Sequence, residues 1–124
     1  MTRKNFVKNY TELVQCVLKL NKKSLKLGLS SLEEEVEDLN HEKLKKGLYL
    51  VIDKADAAII DEIFSNMVSH IKDKYERLFL TIIKRSLLGI QKQENTRFLY
   101  AVLNSLANLS KDEQNEIDSL VLSD

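Results

Sequence analysis

Residues 26–53 read KLGLSSLEEEVEDLNHEKLKKGLYLVID and contain the signals that decide how the helices of this chain are arranged. Gly28 follows a long amphipathic run and precedes two serines. This pattern is typical of one helix ending and another beginning, because glycine adopts a left-handed C-cap conformation without steric cost. The pattern S-x-x-E occurs at 30–33 and again at 31–34, and it matches the capping box of a helix start. We therefore predict a helical corner, followed by a short helix over about 32–40.

The composition of the whole chain favours an all-α helical bundle. The 124 residues include no proline and only three glycines, while strong helix formers such as leucine, lysine and glutamate are frequent. No shift in composition divides the chain, so residues 1–124 are expected to form a single helical domain. The 19 basic and 19 acidic side chains cancel, so no overall charge favours nucleic acid or an anionic membrane.

Hydrophobic periodicity places helices on both sides of the corner. A helix is predicted over about 5–27, and its apolar stripe is Phe6, Tyr10, Leu13, Val17 and Leu20. Another is predicted over about 42–53, and its buried stripe is Leu44, Leu48, Val51 and Ile52. Gly47 lies inside this second helix, where close approach of a neighbouring helix would explain it. Asp53 or Asp56 can cap the helix that follows.

The longest periodic run predicts one long central helix over about 57–91. Its apolar residues recur every three or four positions: Ile60, Phe64, Met67, Ile71, Tyr75, Leu78 and Ile82. No glycine or proline interrupts it before Gly89, so only a tight turn within 72–77 would divide it. One helix of that length would extend about 45 Å, more than a domain of this size covers. We therefore expect a homodimer in which this helix crosses from one protomer to the other, and a domain swap is one form that it could take.

Two further helices are predicted after Gly89. Asn95 or Thr96 can cap the first, whose inward residues are expected to be Phe98, Leu99, Val102, Leu103 and Leu106. Ser110 and Glu113 repeat the capping-box spacing before a last, acidic helix that contains Ile117 and Leu120.

Catalytic and metal-binding patterns are absent from the sequence. His41 and His70 are far apart, and neither H-x-x-x-H nor C-x-x-C occurs, so no metal and no cofactor are expected. Clustered carboxylates on a helix start are expected to be solvated and ionised, which argues against an enzyme. Cys16, the only cysteine, is expected to be an inert core thiol, and the sequence shows neither a signal peptide nor a membrane span.

The charged side chains near the corner are the candidates for binding. On the first helix they are Lys22, Lys23 and Lys26; on the helix after it they are Glu33, Glu34 and Glu37. The lysine face is either an ordinary solvated surface or a surface that binds an acidic partner. Binding of nucleic acid is not expected, because the aromatic residues of this helix lie on its apolar stripe rather than among the lysines.

The stretch from Lys26 to Glu76, together with IIKRSLLGIQKQENTRFLYAVLNSL further on, resembles the cytoplasmic part of the MotA family of flagellar stator proteins (MotA/TolQ/ExbB). The matching motifs are G-L-x-x-L-E-E-x-x-E, then K-x-G-L-x-L-V-x-D, then a tail close to the family pattern I-I-E-G-V-L-A-I-Q-x-G-E-N-P-R. The membrane helices of that family have no counterpart here, so the chain is not expected to be a channel.

The resemblance implies a non-enzymatic cytoplasmic protein at the flagellar motor, on the inner membrane, that acts through contacts with the rotor protein FliG or with stator subunits. Glu33 matches the acidic member of the family's rotor-contacting pair. Leu25 stands where the family has the basic member, and Lys26 or Lys23 could replace it. The alternative is a dimeric helical adaptor or regulator unrelated to motility.

Overall fold

The computed structural model describes residues 1–122, and within them the chain forms seven α-helices and a 3₁₀ turn, with no strand. The predicted all-α bundle is therefore confirmed. The elements are α1 (Arg3–Leu27), the 3₁₀ turn (Leu29–Leu32), α2 (Glu33–Val36), α3 (Glu42–Ile52), α4 (Ala57–Ser69), α5 (Lys74–Gln91), α6 (Thr96–Ala107) and α7 (Lys111–Val121).

Helix α5 is the centre of the bundle, and α1, α3, α4 and α6 pack around it. Its buried residues form one broad face, which is wide enough to contact several helices. They are Phe79, Leu80, Ile82, Ile83, Ser86, Leu87, Gly89 and Ile90. The predicted stripe of α1 is buried from Phe6 to Leu20, and Leu44, Leu48 and Val51 of α3 are buried as predicted.

Gly47 brings α3 close to α5, as its position inside a predicted helix indicated. A methyl group added there would collide with Leu87 Cδ1 and lie 3.0 Å from Phe64 Cζ. Only glycine leaves room for this approach. The packing gained by three helices therefore offsets the unfavourable helix propensity of glycine, which is about 1 kcal/mol.

The corner after α1 is formed differently from the predicted capping box. Gly28 ends α1 with a φ of +89°, as its position indicated. The next residues form a 3₁₀ turn, and no side chain caps α2, which has only four residues. The Ser31 hydroxyl instead donates to the Gly28 carbonyl at 2.6 Å. The capping boxes predicted at 30–33 and 31–34 are therefore wrong, because the serine is engaged within the 3₁₀ turn.

The single helix predicted over 57–91 is also wrong, because α4 and α5 are separate helices. The chain reverses at 70–73, where the Asp73 carboxylate accepts from the Glu76 backbone N–H at 2.9 Å and starts α5. Arg77 donates to the carbonyls of Val68 and Ile71, at 3.0 and 2.8 Å, and closes the end of α4. The hairpin covers its own apolar faces, so the long helix no longer supports a domain swap. A homodimer stays a prediction.

The last two helices begin as predicted, but one residue expected to point inward from α6 is exposed. Asn95 caps α6 by accepting from two backbone N–H groups, and Ser110 and Glu113 form the predicted capping box of α7. Phe98, predicted to point inward, is 70% exposed. The buried face of α6 is centred on Leu99, Tyr100, Leu103 and Ala107, and one residue turns a helix by about 100°, which places Phe98 outside that face.

Candidate protein-binding surface

The corner joins three helices through two small apolar anchors. Leu32, at the end of the 3₁₀ turn, is fully buried, and Val36 of α2 is almost fully buried. Both belong to the main hydrophobic core, so the intervening acidic residues are held outward. Hydrophobic burial therefore fixes the position of the carboxylates, although α2 is too short to be stable alone.

Lys23, one of the six predicted binding residues, is engaged within the chain. Its ammonium lies 2.7 Å from Glu35 Oε1 and 3.5 Å from Glu34 Oε2. The hydrogen bond to Glu35, with the neighbouring carboxylate, raises the pKa of Lys23 above its ordinary value. Because this lysine links α1 to α2, its charge is partly neutralised before any partner arrives.

Glu37 makes the second link, from the end of α2 to α3. The Tyr49 hydroxyl donates to Glu37 Oε1, and the Lys45 ammonium lies 3.4 Å from Glu37 Oε2. The hydrogen bond from Tyr49 is the larger cause that lowers the pKa of Glu37, followed by the charge of Lys45. The side chain of Glu37 is nevertheless 73% exposed, so the pair lies on the surface.

The remaining predicted residues present charge to solvent. Lys22, Lys26 and Glu33 are exposed and make no ion pair with any residue of 1–122. Glu34 shares Lys23 at the longer distance, and its side chain is 78% exposed. Leu25 is 46% exposed. Lys22 neighbours both Leu25 and Lys26 on α1, because it lies three residues before the first and four before the second. We call Lys22, Leu25, Lys26 and Glu33 the corner surface.

Three residues of this network were not identified from the sequence. Glu35, Lys45 and Tyr49 supply the partners that engage Lys23 and Glu37. No local spacing predicts them, since Lys23 and Glu35 are twelve residues apart, as are Glu37 and Tyr49. Only the reversal of the chain at the corner brings these pairs together.

The side chains of the corner surface are of the kinds that bind another protein. Over residues 1–122, no three His, Cys, Asp or Glu side chains are grouped so that they could hold a metal ion. None of the helices in that range is both long and apolar enough to cross a membrane. Exposed lysine and glutamate side chains beside a half-exposed leucine are suited to a protein contact whose rate and specificity depend on charge.

Comparison with known proteins identifies partial relatives. The chain is 36% identical over 66 residues to motility protein A of Treponema phagedenis, which is 53% of this chain and 26% of that protein. It is 33% identical over 64 residues to motility protein A of Treponema pallidum (strain Nichols), covering 52% of this chain and 25% of that protein. The chain thus matches about a quarter of the length of these relatives. No family model matches it, and neither does any solved structure.

Proposed function

We propose that this chain is a non-enzymatic protein of the flagellar motor, related to the cytoplasmic part of the stator subunit, that acts by binding another protein. The similarity of about half the chain to two motility A proteins is the observation that carries the proposal. It supports a role in motility. The partner is proposed to be the rotor protein FliG or a stator subunit, with the chain in the cytoplasm beside the inner membrane.

The corner surface is the proposed contact. Its charges are exposed and make no ion pair with residues 1–122, so a partner can pair with them without first breaking an internal contact. Lys23 and Glu37 are proposed to shape the surface, since both are held by neighbouring side chains. Exposed charges gain little energy individually, so the contact is expected to be weak and sensitive to salt.

Leu25 changes the chemistry of this contact. The resemblance assigns a basic residue to that position, whereas here an exposed leucine lies between Lys22 and Lys26. The two ammonium groups can still offer positive charge on that face, and the leucine can bury apolar area against a partner. The proposed contact is therefore mixed, with basic side chains and one leucine on α1, and with Glu33 as its acidic member.

The test is a binding titration with purified FliG, comparing wild type with Glu33→Lys. Glu62→Lys is the matched control, because Glu62 is an exposed glutamate of α4 that makes no ion pair within 1–122. We expect saturable binding that weakens with added salt and with Glu33→Lys, and that is unchanged by Glu62→Lys. Absence of binding by the wild type, or equal binding by all three proteins, would contradict the role of the corner.

The exposed Phe98 supports a second candidate, a dimeric helical adaptor unrelated to motility. Its side chain is 70% exposed on α6, and a large exposed aromatic residue is a common anchor of protein interfaces. If a second copy covers it, sedimentation equilibrium will show a wild-type dimer and a Phe98→Ser monomer. Affinity purification dominated by proteins outside the motor would favour this candidate over the first.

A further inference from the structure

A cavity of about 380 Å³ lies on the side of the bundle where α1 faces the 38–41 segment, α3 and α5. It is separate from the corner surface, since none of Lys22, Leu25, Lys26 or Glu33 lines it. Its volume is within the range of cavities that hold small ligands.

The inner wall of the cavity is apolar. It includes Leu13 of α1, Leu44 of α3 and Phe79 of α5, all of which are buried. The ring of His41 lies against Phe79, with 5.2 Å between ring centroids. An aromatic face in the wall is suited to an apolar group and also attracts a nearby cation. The wall therefore favours a ligand with a small apolar body.

The polar groups that line the cavity carry negative charge. Glu12 of α1 and Asp38 of the following segment both line it, and neither makes an ion pair with any residue of 1–122. Asn9 and Asn40 add amide oxygens that can accept hydrogen bonds. Two carboxylates beside an apolar wall are the features expected of a receptor for an apolar cation.

Within residues 1–122, Met1 and His41 are the lining residues that can carry positive charge, and the charges of Lys19 and Lys43 act on the lining residues Cys16 and His41 from outside the lining. Met1 lines the cavity, and its ammonium is bound to Asp73 at 2.7 Å. The Nδ1 of His41 accepts from the Lys43 backbone N–H at 3.2 Å, so the ring serves as a helix cap. Burial is the main cause that lowers the pKa of His41, and the ring is therefore neutral at pH 7. Within residues 1–122, the carboxylates of Glu12 and Asp38 are therefore without an ion-pair partner in the lining.

We infer that this cavity binds an ammonium or guanidinium group carried on a small apolar body, with Glu12 and Asp38 pairing with the cation. The ligand can be a free amine or a lysine or arginine side chain presented by another protein, since both have the same chemistry. This inference does not depend on the role of the corner surface. It assigns a second site to the chain. The charged groups of this site are carboxylates, whereas those of α1 at the corner surface are lysines.

The test is a titration of the isotope-labelled protein with benzylammonium, followed by amide chemical shifts. Benzyl alcohol is the neutral probe of nearly the same shape. We expect saturable shifts at residues 38–41 and around Leu13 with the amine, and much weaker binding of the alcohol. A second arm uses an acetylated, amidated Gly-Lys-Gly peptide. Tighter binding of the peptide points to a protein side chain, and tighter binding of benzylammonium points to a free amine.

Charge-neutral variants identify the groups responsible. Glu12→Gln and Asp38→Asn are each expected to raise the dissociation constant about threefold, and together about tenfold, because the cation is only partly shielded from water. Glu42→Gln is the matched control, since Glu42 is exposed beside this region but does not line the cavity. Unchanged spectra elsewhere will show that the variants remain folded.

Cys16 supplies an independent measure of occupancy. It is the only cysteine of the chain and it lines the cavity, so a bound ligand should slow its alkylation by a thiol reagent. Absence of saturable binding by either cation would overturn the inference. Equal binding of the alcohol, or a double variant that binds like wild type, would overturn it as well.

Discussion

Two reversals of the chain, the corner at 28–41 and the turn at 70–73, are built in different ways. The corner depends on Gly28, whose φ is +89°, and on the buried Leu32 that anchors the segment to the core. The turn contains no glycine, and none of its four residues has a positive φ. Two side chains specify it instead: Asp73 caps the start of α5, and Arg77 binds carbonyls at the end of α4.

This difference shows which kind of helix break can be predicted from a sequence. A glycine with positive φ marks a break through the backbone itself, because other residues adopt that conformation only with strain. A capping aspartate followed by an arginine marks a break through side-chain hydrogen bonds. Such residues are also common inside helices, so the second kind of signal is easily mistaken for the polar face of a continuous helix.

The largest expected effect concerns the apolar anchor of the corner. Leu32→Ala should lower the free energy of unfolding by about 3 kcal/mol, since a fully buried leucine is lost and a cavity remains. Ile71→Ala, in the turn, should cost about 1 kcal/mol because Ile71 is only partly buried. Urea unfolding measures both. Equal losses would show that the two reversals depend on core packing to the same extent.

Gly28→Ala tests the backbone contribution alone. An added methyl group would meet no atom within 4 Å, so its cost arises from the positive φ, and about 2 kcal/mol is expected. Ser30→Ala, in the same 3₁₀ turn, is the control and should change stability little. The thermal unfolding midpoint checks this. A Gly28→Ala protein as stable as wild type would mean that the corner does not require this conformation.

Arg77→Ala removes the side chain that closes α4. The substitution breaks two hydrogen bonds to carbonyls at or just after the end of that helix. Because the position is exposed, the free energy of unfolding is expected to fall by about 1 kcal/mol. Arg97→Ala is the control, because Arg97 is an exposed arginine of α6 whose side chain makes no hydrogen bond or ion pair with residues 1–122. If the two variants unfold at the same urea concentration, the carbonyl contacts do not stabilise the turn.

Asp73 makes the turn sensitive to pH, unlike Gly28. The hydrogen bond from the Met1 ammonium, then that from the Glu76 N–H, lowers the pKa of Asp73 below its ordinary value of 3.8. A folded-state pKa below the unfolded value gives stability that is present above pH 3.8 and is lost as pH falls through the folded-state pKa.

The variants Asp73→Ala and Asp73→Asn separate these contributions. Both should be less stable than wild type at neutral pH. Asp73→Asn should lose less stability than Asp73→Ala, because asparagine also caps helices well. Thermal midpoints measured down to acidic pH should show both differences shrinking, while the effect of Gly28→Ala stays constant. A difference for Asp73→Ala that is the same at all pH values would argue against a stabilising contribution from the charge of Asp73.

The smallest effect is expected at Lys23. Lys23→Gln removes the contacts with Glu34 and Glu35, but surface ion pairs contribute little to stability. Its thermal midpoint should therefore lie close to that of Lys22→Gln, the unpaired neighbour on the same helix. A loss as large as that of Gly28→Ala would show that charge pairs, rather than backbone and core, hold the corner.

Much of the fold could be predicted from local patterns. The stripes of α1 and α3, the role of Gly28, the approach at Gly47 and the caps at Asn95 and Ser110 each follow from short-range spacing. The turn at 70–73 could not be predicted by counting glycines and prolines, although the capping Asp73 was visible in the sequence. Phe98 was misplaced because the apolar residues of α6 span more than its buried face.

Less of the binding surface could be predicted. The sequence placed Lys22, Lys26 and Glu33 on exposed faces, and their exposure follows from helical periodicity. It did not separate them from Lys23 and Glu37, because the hydrogen-bond partners Glu35 and Tyr49 each lie twelve residues away and meet them only after the chain reverses. The cavity beside Glu12 and Asp38 likewise depends on the packing of several elements.

The most direct test of the proposed contact is amide hydrogen exchange of this chain with and without FliG. The account predicts that exchange slows upon binding within residues 22–37, the range that contains the corner surface, while α7 exchanges at the same rate in both samples. Protection confined to α6 and α7, or no protection at concentrations where the two proteins form a complex, would contradict it.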